Sequence, residues 1–73
     1  MIAMFTEPTG DLIAVDSKRI VALRMVAKEH GGGTAIVTDI QLRGGTELLT
    51  YIVKDDLPSV IEHLNRTEPR SRK

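Results

Sequence analysis

The stretch of this chain that most resembles a ligand-binding loop is Glu29-His-Gly-Gly-Gly-Thr34. Successive glycines can aim backbone N–H groups at a phosphate. A phosphate loop, however, carries Lys and Ser or Thr after its glycines, where a helix starts. No lysine follows here, and the next residues, Ala35-Ile-Val37, favour a strand. The segment is therefore expected to be a hairpin loop. Its His-Gly-Gly also lacks the strand-turn-helix nucleophile that an oxyanion hole would serve.

The other reactive side chains are sparse. His30 and His63 are the two histidines, and there is no cysteine. A metal centre would have to draw on carboxylates, and neither histidine has a partner at ligand spacing. His63 is expected at the surface, half-exposed. Asp55-Asp56 could serve as a carboxylate pair, but its place just before Leu57-Pro58 predicts helix capping instead. Asn65-Arg-Thr67 fits the N-glycosylation pattern. The residues Met1–Glu7 show no basic stretch and no cleavage pattern, so they do not read as a secretory signal, and the sequon reads as chance. No catalytic, cofactor-binding or metal-binding residues are assigned. The expectation is a cytoplasmic protein that is not an enzyme, with no cofactor.

Charge is balanced overall, ten basic against ten acidic side chains, which argues against a surface built to hold nucleic acid. The balance is uneven along the chain. Arg66, Arg70, Arg72 and Lys73 face one acid, Glu68, at the C-terminal end. These four cations could contact nucleic acid, giving an alternative reading as a nucleic-acid-associated regulator. With no aromatic residue among them, such binding would be weak and salt-sensitive.

The elements that would carry these residues follow from hydrophobic spacing. Residues 1–66 are expected to form one small domain and residues 67–73 a disordered basic tail. Ile2–Thr6 and Leu12–Val15 read as strands around the turn cluster Glu7-Pro-Thr-Gly-Asp11. A turn centred on Thr9 and Gly10 places Ile2, Met4, Ile13 and Val15 on one face, with Ala3, Phe5 and Ala14 on the other. Ile20–Ala27 reads as a strand with Val21, Leu23 and Met25 inward, although its residue types also suit a helix. Thr34–Leu42 and Glu47–Val53 flank Arg43-Gly-Gly-Thr46, a hairpin signal. A Gly44-Gly45 turn pairs Ile40 with Leu49 and Thr38 with Tyr51. Ile36, Ile40, Leu42, Leu49, Tyr51 and Val53 then share one face, and Val37, Asp39, Gln41, Leu48, Thr50 and Ile52 the other. Leu57, Val60, Ile61 and Leu64 form the stripe of a C-terminal helix.

The predicted fold class is α+β: an antiparallel five-stranded meander with one C-terminal helix packed on one face. One helix covers one face. The opposite face would present Phe5, Ile20, Val26, Val37, Leu48 and Ile52, more apolar surface than a small monomer ordinarily shows. A chain of 73 residues without disulfides has few other ways to gain stability. A homo-oligomer, or docking to a larger protein partner through those six residues, is the expectation, with no membrane contact.

The order Met1-Ile2, a turn ending in Gly10, Val15, Ile20, Thr38-x-Ile-x-Leu42, Gly44-Gly-Thr46, Val53 and the Val60-Ile61 helix resembles the FlbD-like short flagellar-operon proteins. The resemblance spans roughly residues 1–64 as a pattern of apolar positions and turns. It departs at the long Lys28–Gly33 insertion, and it lacks that family's compact proline-containing turn after the third strand. It implies a non-enzymatic accessory role and carries over no catalytic residue.

Overall fold

The computed structural model describes residues 1–67. The chain runs β1 (Ile2–Thr6), β2 (Leu12–Asp16), a short 3-10 turn (Ser17–Arg19), β3 (Ile20–Met25), a second 3-10 turn (Lys28–His30), β4 (Thr34–Leu42), β5 (Gly45–Val53) and α1 (Leu57–Thr67). The α+β class is as expected, but the strands do not form one meander. β1 and β2 make a two-stranded sheet, and β3-β4-β5 make a separate three-stranded one. The hairpin and the helix lie on the same side of the larger sheet. The molecule is a slab 38 × 35 × 20 Å, thick enough for two layers.

The first hairpin shows how one residue decides a face. Glu7 N–H donates to Asp11 C=O (2.7 Å), and Gly10 N–H donates to Glu7 C=O (2.8 Å). Pro8, Thr9 and Gly10 therefore form a three-residue loop, with Gly10 at φ +99°. Proline favours the first corner of such a turn, and glycine its left-handed last residue. The resulting register pairs Ala3 with Val15 and Phe5 with Ile13. This is one residue away from the two-residue turn expected from the sequence, and a one-residue slip exchanges the two faces. Ala3, Phe5, Ile13 and Val15 point inward, while Ile2, Met4 and Leu12 face out.

The second hairpin differs from expectation without changing faces. The turn residues are Arg43 and Gly44, with Leu42 opposite Gly45. Neither turn residue has positive φ; the left-handed position is Gly45, at φ +139°. The pairing thus moves by two residues, so Thr38 meets Leu49 and Ile36 meets Tyr51. An even shift preserves the alternation, and both predicted faces survive intact.

β3 starts with an irregularity between Ile20 and Ala22. Such a bulge breaks the period of two. Ile20 and Leu23 both pack toward the core, while Val21, expected inside, is exposed; Met25, also expected inside, shares Leu23's face but is exposed at the end of the edge strand.

The interior is one cluster: Ala3, Phe5, Val15, Ile36, Val53 and Val60, with Ile13, Ile20, Leu23 and Leu64 packed against it. The helix contributes Val60 and Leu64, whereas Ile61, expected in the stripe, is exposed. The layers are also joined by backbone: Lys54 N–H donates to Thr6 C=O (2.8 Å), while Ser17 N–H to Met1 C=O (2.8 Å) extends the β1–β2 ladder by one pair. Thr34, fully buried at the start of β4, donates its hydroxyl to Asp55 C=O at 2.7 Å.

Gly33 is the glycine that packing itself requires. Its φ is +85°, and a Cβ there would collide with the Val53 carbonyl. Gly31, also at positive φ, has open space around it. We expect Gly33→Ala to lower the thermal midpoint clearly more than Gly31→Ala; equal losses would remove the close approach as the cause. The inverted hairpin register makes a second prediction. Phe5→Ala opens the core and should cost about 3–5 kcal/mol, as much as a domain of this size has. Met4→Ala, one residue away, should cost well under half of that. Urea unfolding of the two variants gives the comparison, and the reverse order would restore the expected register.

Candidate interaction surface

The six residues expected on one uncovered face divide into two groups. Phe5 is buried, 2% exposed, and Ile20 packs against the core, so both are interior residues and not surface ones. The inverted hairpin register accounts for Phe5 and the β3 bulge for Ile20. Val26 is half-buried just past β3, where its N–H donates to Gly33 C=O (3.0 Å). Val37, Leu48 and Ile52 do lie together on the outer face of the larger sheet. Val37 pairs with Thr50, between the Asp39–Leu48 and Ala35–Ile52 pairs. Leu48 is 63% exposed and Ile52 38%.

A second outer surface was hidden by the hairpin register. Ile2, Met4 and Leu12 are 62%, 54% and 66% exposed on the far side of the β1–β2 sheet. The signal that could have revealed it is Pro8-Thr-Gly10 read as a three-residue turn with its bulge. Both broad surfaces of the slab therefore carry exposed apolar side chains, set among polar ones such as Gln41 and Thr50 on the larger sheet.

Two carboxylates are engaged in local structure. Asp56 caps α1: its Oδ1 accepts from Ser59 N–H (3.2 Å), and its C=O accepts from Val60 N–H (3.0 Å). Hydrogen bonding to the Ser59 side chain and then to its N–H holds the Asp56 carboxyl below the ordinary range. Asp16 accepts from Lys18 N–H (3.0 Å), the main reason its carboxyl is also lowered, and it lies 3.4 Å from the α-amino group. In the glycine loop, the N–H groups of His30, Gly31 and Gly32 donate to Ala27 or Lys28 carbonyls. Those donors close the loop and are not turned toward an anion. His30 and Glu29 are 3.8 Å apart, both well exposed. His63 is half-buried, its ring 4.8 Å from that of Phe5 and tilted by 48°. Among the described residues no three His, Asp or Glu side chains gather as a metal site.

A shallow cleft of about 250 Å³ opens where β2 stops covering the far end of β4 and β5. Asp16, Arg19, Asp39 and Tyr51 lie around it, with Arg19 Nη1 4.0 Å from Asp39 Oδ1. That carboxylate oxygen is buried without a hydrogen bond, an arrangement a small turn of the arginine would repair. Of the cations proposed for nucleic acid, Arg66 pairs with Glu62 at 2.7 Å. Arg70, Arg72 and Lys73 lie outside the described residues, as does most of the expected 67–73 tail. No described helix is long and apolar enough to cross a membrane. The chain matches no protein-family model, no curated protein and no solved structure.

The capping geometry sets an acid dependence. A carboxyl whose folded pKa is depressed stabilises the fold above its unfolded value, near 3.8, and loses that contribution as pH falls through the folded value. Asp56→Ala should lower the thermal midpoint near neutrality. Asp56→Asn, which keeps a capping oxygen, should retain most of it. The remaining gap between Asp56→Asn and the unmodified protein should close in strong acid. Circular dichroism melts across pH measure this; a gap that persists undiminished in acid means the carboxylate charge plays no part.

Proposed function

We propose that this chain is a small non-enzymatic protein-interaction module that works as a homo-oligomer in the cytoplasm. Its partner in the first instance is another copy of itself, with docking to a larger protein as the related alternative. The supporting observation is that the slab presents clustered apolar side chains on both outer surfaces: Ile2, Met4 and Leu12 on one, Val37, Leu48 and Ile52 on the other. Small monomers rarely leave such patches uncovered.

The magnitudes favour association through more than one patch. Covering Ile2, Met4 and Leu12 would contribute on the order of 3–5 kcal/mol per protomer, at about 1.5–3 kcal/mol for each complete burial. Leu48 and Ile52 would add roughly half as much. Both copies of a dimer contribute, which reaches the range of about 4–15 kcal/mol that association costs. Neither patch alone clears the upper part of that range. The resemblance to FlbD-like proteins supports the same non-enzymatic role.

Sedimentation velocity over a concentration series tests the reading. The expected result is reversible self-association, weakened by Leu12→Glu or Val37→Lys according to which patch is used. A strict monomer at the highest attainable concentration would overturn it.

A further inference from the structure

The two edges of the three-stranded sheet are built differently. β3, at one edge, is six residues long, bulged between Ile20 and Ala22, and carries Arg24. Bulges, short length and charge are the usual guards against unwanted strand pairing. β5, at the other edge, runs nine regular residues, Gly45–Val53, with no proline, no basic residue and a single acid, Glu47. It has no neighbour on its far side among the described residues.

The phase of the ladder shows which groups β5 presents. Val26 N–H donates to Gly33 C=O, so odd-numbered residues at that end of β4 turn their backbone groups toward β3. Even-numbered residues of β4 then bond to β5, and their partners Tyr51 and Leu49 are odd. The backbone groups of Thr46, Leu48, Thr50 and Ile52 consequently point outward. Lys54 N–H fits the same phase: it also points outward, and it is taken by Thr6 C=O. The open edge thus ends at Ile52 on one side and at the Arg43-Gly44 turn on the other. Leu48 lies midway between Gly44 and Ile52.

We infer that β5 pairs antiparallel with β5 of a second copy about a two-fold axis at Leu48, joining two three-stranded sheets into one of six strands. This rests on the homo-oligomer reading and adds an edge contact to the broad-face ones. The register sets Leu48 against its own copy and Thr46 against Thr50, both favourable cross-strand pairs. Gly44 of each copy reaches Ile52 of the other, so each turn stops just short of the position closed by Thr6. Glu47 meets Leu49 rather than its own copy, which avoids a like-charge pair. Two-fold contacts of this kind are self-limiting, because each edge is used once. The outer-face residues Val37, Leu48 and Ile52 of both copies become one continuous stripe across the joint.

The chain has no cysteine, which makes a direct test available. Leu48→Cys places two sulfurs on opposed, hydrogen-bonded residues about 5.5 Å apart at Cα, within disulfide reach. Mild oxidation should convert it to a covalent dimer, whereas Val21→Cys, also well exposed but on the guarded edge, should stay monomeric on a non-reducing gel. Thr50→Pro removes an outward N–H that the protomer does not use, and should weaken the dimer by about tenfold or more in sedimentation. If Thr50→Pro does not fold, Leu48→Lys serves in its place. Hydrogen exchange supplies a readout on the unmodified protein: the Leu48, Thr50 and Ile52 amides should slow as concentration rises. An oligomer indifferent to Thr50→Pro and Leu48→Lys, with those amides exchanging fast throughout, overturns the edge contact while leaving self-association through a broad face intact. An unmodified protein that stays monomeric overturns both.

Discussion

A single layer of side chains between two small sheets carries almost all the burial in this molecule. Phe5 and Val15 come down from the hairpin, Ile36 and Val53 rise from the larger sheet, and Val60 closes the side from the helix. A domain of this length starts with little net stability, so it depends on how completely that one interior is filled. The backbone bond from Lys54 to Thr6 and the hydroxyl bond from Thr34 to Asp55 fix how the layers meet. Both lie where β5 ends and the chain turns into α1. The same junction that seals the core closes the β5 edge at Lys54.

What was legible in the sequence follows from how local the deciding interaction is. The faces of β4 and β5 depend only on alternation, and an error of two residues in register left them unchanged. The helix start depends on Asp56 and its own first turn, and it was readable from Asp55-Asp-Leu-Pro58. The hairpin face depends on whether its loop holds two or three residues, and Pro8-Thr9-Gly10 admits both on composition alone. That one residue moved Phe5 from surface to core, and Ile2 and Met4 the other way. The β3 bulge had the same effect on Ile20 and Val21, with no glycine to announce it. The division into two sheets was not legible at all, because it depends on how the Ser17–Arg19 turn redirects the chain between β2 and β3.

One helix cannot cover both sides of the structure. The hairpin and α1 together cover one side of the three-stranded sheet, and in doing so the hairpin exposes its own far side. Folding a β layer over another β layer creates two outer faces for one interior. The apolar content of the chain, 41%, is spread across all of them. Val37, Leu48 and Ile52 were assigned to the outside on alternation alone, and they remain there. Ile2, Met4 and Leu12 join them on the opposite surface.

The most conspicuous motif in the sequence turns out to be a packing device. Gly31, Gly32 and Gly33 all adopt positive φ, and Gly33 must pass so close to the Val53 carbonyl that no side chain fits. The loop's own amides are consumed in closing it. Positive φ accounts for all three glycines, and the approach to the end of β5 adds a second requirement at Gly33. The features that bear on association carry no motif. They are the missing proline, the missing lysine and the missing bulge along β5, set against a β3 that has a bulge and an arginine. Guarding one edge of a sheet and leaving the other bare is an asymmetry with a physical consequence, since a bare edge presents a row of unpaired N–H and C=O groups to any strand that can match it. A second β5 offers those groups the same spacing, the same phase and the same side chains in reverse order.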